Sequence, residues 1–273
     1  MDIDADIAEH YSQGVERDRL ATWGRLEAAR TADLLARFLP AAPATVVDVG
    51  GAEGVYALPL AAAGYAVYLI DPIAAHVEAA RAASGRQPSA PLAAAMVGDA
   101  RDLSGIDSGT ADAVMMLGPL YHLVDPTDRA RALSEARRVL RPGGRLLAAA
   151  ISRYASTLDG LRTKWLVDPA FEAMVVADLQ TGVHRNPDVA NRPEWFTLAY
   201  FHHPDGLAAE VGAAGFIDVD VLAIEGPVAV DAEALSDESS REAVLRAIAR
   251  VEREPTLLGA SPHLMAVASA PPG

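Results

Sequence analysis

The chain contains no cysteine, which excludes disulfides, thiolate metal sites and a cysteine nucleophile. Aromatic residues are scarce at 5% although 51% of the chain is hydrophobic. Much of that apolar content is alanine, so helix contacts are expected to be close and small. Basic residues are few, with 23 Lys and Arg against 37 Asp and Glu, giving a formal net charge of −14. A field of that sign repels phosphate backbones and anionic membranes, so neither nucleic acid nor a membrane is an expected partner. No apolar run approaches the length that spans a bilayer. The start Met1-Asp2-Ile3-Asp4-Ala5-Asp6 lacks the basic and apolar regions of a signal peptide. A cytoplasmic location is expected.

What the sequence does contain is an alternation of strand-like and helix-like segments. Strands are expected at 44–49, 66–71, 94–98, 112–117 and 145–151, with helices near 53–63, 73–84 and 126–140. Asp125 and Pro126 suit a helix start, and Pro142-Gly143-Gly144 is expected to reverse the chain. This pattern predicts an α/β fold, doubly wound around a mostly parallel seven-stranded sheet. Four parts follow: a helical cap at 1–40, a core at 41–154, a helical insert at 155–200 and the end of the core sheet at 201–273. The insert carries Trp165, Phe171, Trp195 and Phe196, no strand pattern, and is expected to cover the open end of the sheet.

The most informative segment is Thr45-Val46-Val47-Asp48-Val49-Gly50-Gly51-Ala52-Glu53-Gly54, followed by Val67-Tyr68-Leu69-Ile70-Asp71. A buried strand running into a glycine turn, with an acid at the tip of the next strand, suits a nucleoside ligand. The turn lets backbone approach it, and the acid can take both ribose hydroxyls. The dinucleotide fingerprint G-x-G-x-x-G does not fit, since Ala52 and Val55 stand at two of its positions.

The same segment resembles the first motif of class I S-adenosylmethionine-dependent methyltransferases, D/E-x-G-x-G-x-G, with Ala52 in place of the middle glycine. Further landmarks follow in order: Asp71, then Gly98-Asp99-Ala100, then Asp112 to Leu117, then Arg138-Val139-Leu140-Arg141-Pro142-Gly143-Gly144. The resemblance covers about residues 45–151. It implies S-adenosyl-L-methionine as cofactor, held by Asp48, Gly50, Gly51, Gly54, Asp71, Pro72, Asp99, Ala100 and Leu117. It also implies that the N-terminal helix, with Tyr11 and the run Glu16-Arg17-Asp18-Arg19, folds over the cofactor. Asp48 is expected both to orient loop amides and to reach the ligand. No metal is implied.

Methyl transfer needs alignment first and a base only when the acceptor must lose a proton. His122 and Tyr121 follow the fourth strand at the right mouth, and His122 is the candidate base. His202-His203 are expected to be exposed in the loop before Pro204. The acceptor is expected to be a small flat or hydrophobic molecule. Two other readings stay open: a nicotinamide or nucleotide-sugar enzyme with a degenerate turn, and a non-catalytic regulator that keeps the fold. A homodimer is compatible with the sequence, but no residue pattern points to one.

Overall fold

A computed structural model describes residues 4–12, 14 and 19–273; Glu16-Arg17-Asp18 lie outside the described residues. Strands run at β1 Thr45–Val49, β2 Ala66–Asp71, β3 Ala94–Val97, β4 Ala111–Met116, β5 Leu140–Ser152, β6 Val183–His184, β7 Ala199–His202, β8 Ile217–Ala223 and β9 His263–Ser269. The helices are α1 Ala5–Ser12, α2 Arg25–Phe38, α3 Ala57–Ala62, α4 Ala74–Gly85, α5 Pro119–His122, α6 Pro126–Val139, α7 Ala155–Arg162, α8 Pro169–Thr181, α9 Pro204–Ala213, α10 Glu238–Ala249 and α11 Pro255–Leu258. No described helix is long and apolar enough to cross a membrane.

Strands β3, β2, β1, β4 and β5 lie side by side and parallel, and β9 continues the sheet antiparallel to β5 with β8 beyond it. These are the seven expected strands. Alternate residues of each strand feed opposite faces, as the two-residue period of a pleat requires. Val46, Val67, Leu69 and Met115 pack under α2, α3 and α4 through Leu34, Ala57 and Val77. Val47, Val49, Val114 and Met116 pack under α6 and α9 through Leu133, Ala136 and Leu207.

Two findings depart from the sequence reading. Pro142-Gly143-Gly144 does not reverse the chain. It bulges within β5, so that Ala111 pairs with Leu140 but Ala113 with Arg145, and Gly143 takes φ +73°. The insert also contributes a short antiparallel hairpin, β6 with β7, alongside α7 and α8. Ile151 pairs with His263 of β9 and with Phe201 of β7. A strand has two edges, so β7 occupies the edge that β4 leaves after Ala148, its last partner there. The hairpin therefore stands above the carboxyl end of β4, where a ligand of an open parallel sheet binds.

The N-terminal cap and the insert meet. The Arg185 guanidinium lies 2.5 Å from the Asp6 carboxylate, and the Thr197 hydroxyl donates to Asp6 O at 2.8 Å. Helix α1 thus rests on the insert. The insert has its own small core of Phe171, Met174, Val175 and Trp195. A buried group of Ser156, Asp178 and His184 ties it together: Ser156 Oγ donates to Asp178 Oδ2 at 2.6 Å, and His184 Nδ1 lies 2.9 Å from the same oxygen.

Candidate active site

The turn after β1 is shaped by backbone and packing together. Gly50 has φ +74°, and a Cβ there would come within 2.8 Å of the Pro119 ring. A Cβ on Gly51 would meet the Asp48 carboxylate at 2.7 Å. Ala52 adopts φ +46°, so the middle position of the motif keeps a left-handed conformation despite its side chain. That conformation costs an L-residue about 1–2 kcal/mol. Its N–H is held at 2.9 Å by Asp71 Oδ2. Gly54, also at positive φ, packs toward Leu58 and lines neither of the cavities at this rim.

Two cavities open here, of about 530 and 270 Å³, and they share Tyr11, Gly50, Ala52 and Gly118. The first is lined by Asp71, Pro72, Asp99, Ala100, Arg101 and His122, and the second by Asp48, Gly51, Leu117 and Tyr121. All but one of the sequence-expected residues therefore converge on one crevice; Gly54 is the exception.

Asp71 is nearly buried and pre-oriented. Its Oδ1 accepts from Ile73 N at 2.9 Å and lies 3.1 Å from His76 Nδ1. With one backbone amide on each oxygen, the carboxylate keeps lone pairs toward the cavity for a pair of hydroxyls. Asp48 is different. It is 2% exposed, and no hydrogen bond reaches its carboxylate from any described residue. The loop amides it was expected to orient are taken instead by Ile70 O, which accepts from Gly50 N and Gly51 N, and by Asp71. Burial and the nearby Asp71 charge push the Asp48 pKa up to about 7.

Asp99 forms a two-point ion pair with Arg101, with contacts of 2.9 and 2.6 Å, and Arg101 reaches on to Asp128 at 2.7 Å. Burial works against the Asp99 charge, but the Arg101 contacts outweigh it and hold the carboxyl below its ordinary value. His122 Nε2 lies 2.8 Å from the Tyr11 hydroxyl, and Nδ1 is 3.4 Å from Leu198 O. The Tyr121 hydroxyl donates to Leu117 O at 3.2 Å and lies beside Gly118. The two candidate catalytic rings touch edge-on, with centroids 4.8 Å apart, but His122 lines the first cavity and Tyr121 the second.

His202 is not exposed. It is 1% exposed and its Nε2 lies 3.2 Å from Glu210 Oε2. Glu210 in turn binds Arg129, whose Nη1 donates to Leu123 O and Val124 O. Those contacts fix the segment after α5 that walls the first cavity.

Sequence reasoning missed His76 and Arg101, and it missed a charged group on the far wall of the second cavity. There Arg19 pairs with Glu27, His263 Nδ1 lies 2.5 Å from Glu225 Oε1, and Glu27 Oε2 is 3.7 Å from the same ring nitrogen. Glu27, Glu225 and His263 bring their oxygens and nitrogen within 4.8 Å of one another. The Arg19 guanidinium against Glu27 makes this a balanced ion network rather than a cation cage.

A family model described as a methyltransferase domain matches residues 47–148. That stretch runs from β1 into β5 and contains the glycine turn, Asp71, Asp99 and the segment after β4. By this match it is a methyltransferase domain. The methyl donor implied by the motif resemblance is S-adenosyl-L-methionine. An uncharacterized methyltransferase of Mycobacterium tuberculosis is 39% identical over 108 residues, 40% of this chain and 40% of that protein. A ubiquinone/menaquinone biosynthesis C-methyltransferase of Acidiphilium cryptum is 31% identical over 159 residues, 57% of this chain and 62% of that protein. The matched stretches thus span less than two thirds of these curated relatives. A SAM-dependent methyltransferase from Methanosarcina mazei shares the fold, with a TM-score of 0.58 and 20% identity over 88% of this chain and 98% of that one.

The crevice fits the cofactor on its own chemistry. Asp48 is a buried carboxylate with no hydrogen-bond partner among the described residues, and it lines the second cavity, where an ammonium group would satisfy it. Asp71 and Asp99 supply fixed acceptors at the tips of the two neighbouring strands.

Proposed function

We propose that the protein transfers a methyl group from S-adenosyl-L-methionine to a small, flat or hydrophobic acceptor. The observation that supports this most strongly is the buried Asp48 carboxylate, unpartnered among the described residues, in the cavity adjoining that of the amide-fixed Asp71. The cofactor, when bound, supplies an electrophilic methyl group on a sulfonium.

The protein's part is to bind, align and exclude water. Asp99 and Ala100 border the end of the first cavity suited to the adenine, and Asp71 is set for the ribose hydroxyls. Asp48 and Gly51 take the amino-acid end in the second cavity. Leu117, Gly118 and Tyr121 border the junction where nucleophile and methyl group would meet. The Tyr11–His122 contact holds α1 across the first cavity, so we assign His122 to closing the site rather than to proton removal. The second cavity provides the acceptor wall: all three tryptophans and three of the five phenylalanines line it. In a chain with so few aromatics, that concentration favours a planar acceptor.

The test is a screen of candidate metabolites with purified protein and donor, read by mass spectrometry for a gain of one methyl group. Calorimetry with S-adenosylhomocysteine and, separately, NAD decides the cofactor class. Binding of NAD alone would replace this reading with a nicotinamide enzyme.

A further inference from the structure

The wall of the second cavity opposite Asp48 is built by residues that the methyl-donor reading does not use. His263 opens β9 and is the cross-strand partner of Ile151, and both line the cavity. The imidazole is clamped from one side. Glu225, just past the end of β8, accepts from His263 N at 3.1 Å and meets Nδ1 at 2.5 Å. Ser261 Oγ steadies the same carboxylate at 3.1 Å. Glu27 of α2 also lies on the Nδ1 side, at 3.7 Å.

Nδ1 therefore faces two carboxylates, while Nε2, across the ring, has no hydrogen bond from any described residue. The side chain is 22% exposed and lines the second cavity. Burial works against a charge here, but Glu27 and Glu225 outweigh it and carry the His263 pKa up to about 9. Arg19, paired with Glu27, brings the group of four to two cations and two anions. Tyr56, beside Glu27, has its pKa raised by burial and by the Glu27 charge, so it stays a neutral phenol at this wall. At neutral pH the ring is thus a cation whose Nε2–H has no acceptor among the described residues.

We infer that His263, aimed by Glu225, is a specificity residue that takes the acceptor as its oxyanion, selecting planar molecules with an acidic hydroxyl group such as a phenol or enol. The aromatic lining supplies the face for the ring, and His263 Nε2–H supplies a charge-assisted hydrogen bond to its oxygen. Binding the anion keeps the nucleophile deprotonated without a base, which accords with His122 lying in the other cavity. This rests on the methyltransferase reading, because the second cavity must serve the acceptor.

The experiment uses the full chain saturated with S-adenosylhomocysteine and 4-nitrophenol as probe, since only its phenolate absorbs in the visible. Calorimetry first establishes that S-adenosylhomocysteine binds. Wild-type protein should then bind the phenolate in preference to the phenol, lowering the titration midpoint of the bound probe by about one unit or more. H263Q should lose the shift and bind the phenolate roughly tenfold more weakly, whereas H263K, which keeps a cation, should restore part of it. Phenolate affinity of the wild type should also fall as pH rises through about 9. That arm stands even if H263Q fails to fold in a melting check.

No probe binding, an unshifted midpoint, or an H263Q variant indistinguishable from wild type overturns the inference while donor binding stands. Probe binding that needs an added divalent cation and is lost on chelation also overturns it, by making the cluster a metal site. Absence of S-adenosylhomocysteine binding removes the functional reading itself.

Discussion

The Tyr11 hydroxyl and His122 Nε2 stand 2.8 Å apart although 111 residues separate them in sequence. Leu198 O lies 3.4 Å from the other ring nitrogen, Nδ1. One hydrogen bond thus joins the helix nearest the N-terminus to the segment after β4, across the mouth of the first cavity. Tyr11 also packs edge-on to His76, which holds Asp71. The lid and the proposed ribose acid are two contacts apart.

Removing that hydrogen bond should loosen α1 more than it disturbs chemistry. Tyr11→Phe is expected to weaken S-adenosylhomocysteine binding by about 0.5–1.5 kcal/mol and to speed amide exchange in α1. His122→Ala should behave similarly. A His122→Ala protein with normal donor affinity but no turnover would instead return His122 to the role of base.

Asp48 should trade stability for binding. Its folded pKa of about 7 lies above its unfolded value near 3.9. The folded state therefore holds the extra proton between those values, and stability falls as pH rises from about 4 to 7. Asp48→Asn should accordingly be more stable than wild type at pH 8, by about 2–4 kcal/mol, and no more stable at pH 4. The same variant should lose donor affinity. Denaturant melts at the two pH values, with calorimetry, check both halves.

Ala52→Gly should relieve the left-handed strain at φ +46°. The relief of about 1–2 kcal/mol is offset by about 0.4–1 kcal/mol of added unfolded-state entropy. A small net stabilisation with unchanged donor binding is expected, and thermal melting measures it. A clear loss of stability would mean that the alanine methyl group has a packing role.

Arg129→Met breaks a nearly buried ion pair and strips Leu123 O and Val124 O of their donor. Leaving the partly exposed Glu210 carboxylate without its cation, and two backbone carbonyls without their donor, should cost about 2–4 kcal/mol. Equilibrium unfolding in urea would show it as a lower midpoint at unchanged slope.

The parts legible in the sequence are those that local chain chemistry dictates. The apolar run Val46 to Val49 entering Gly50, and Asp71 at the tip of β2, announce both an element and its ligand-facing end. The Asp125 cap behaved as expected, accepting from Thr127 N at 2.7 Å. What stayed hidden depends on partners brought from afar. His202 reads as an exposed loop residue until Glu210 and Arg129 converge on it. Arg101 gives no periodic pattern, yet it occupies Asp99. The hairpin of β6 and β7 was missed because its first strand is only two residues long, too short to show alternation. Glu225 and His263 lie 38 residues apart and meet only because β8 and β9 pair.

On the proposed function, the crevice beneath α1 holds an adenosyl sulfonium donor through Asp71 and Asp48. Calorimetry of S-adenosylhomocysteine against wild type and Asp71→Ala tests it most directly. Saturable one-site binding to wild type is expected, weakened by about 1–3 kcal/mol in the variant. No heat with wild type, or equal affinity in both proteins, would contradict it.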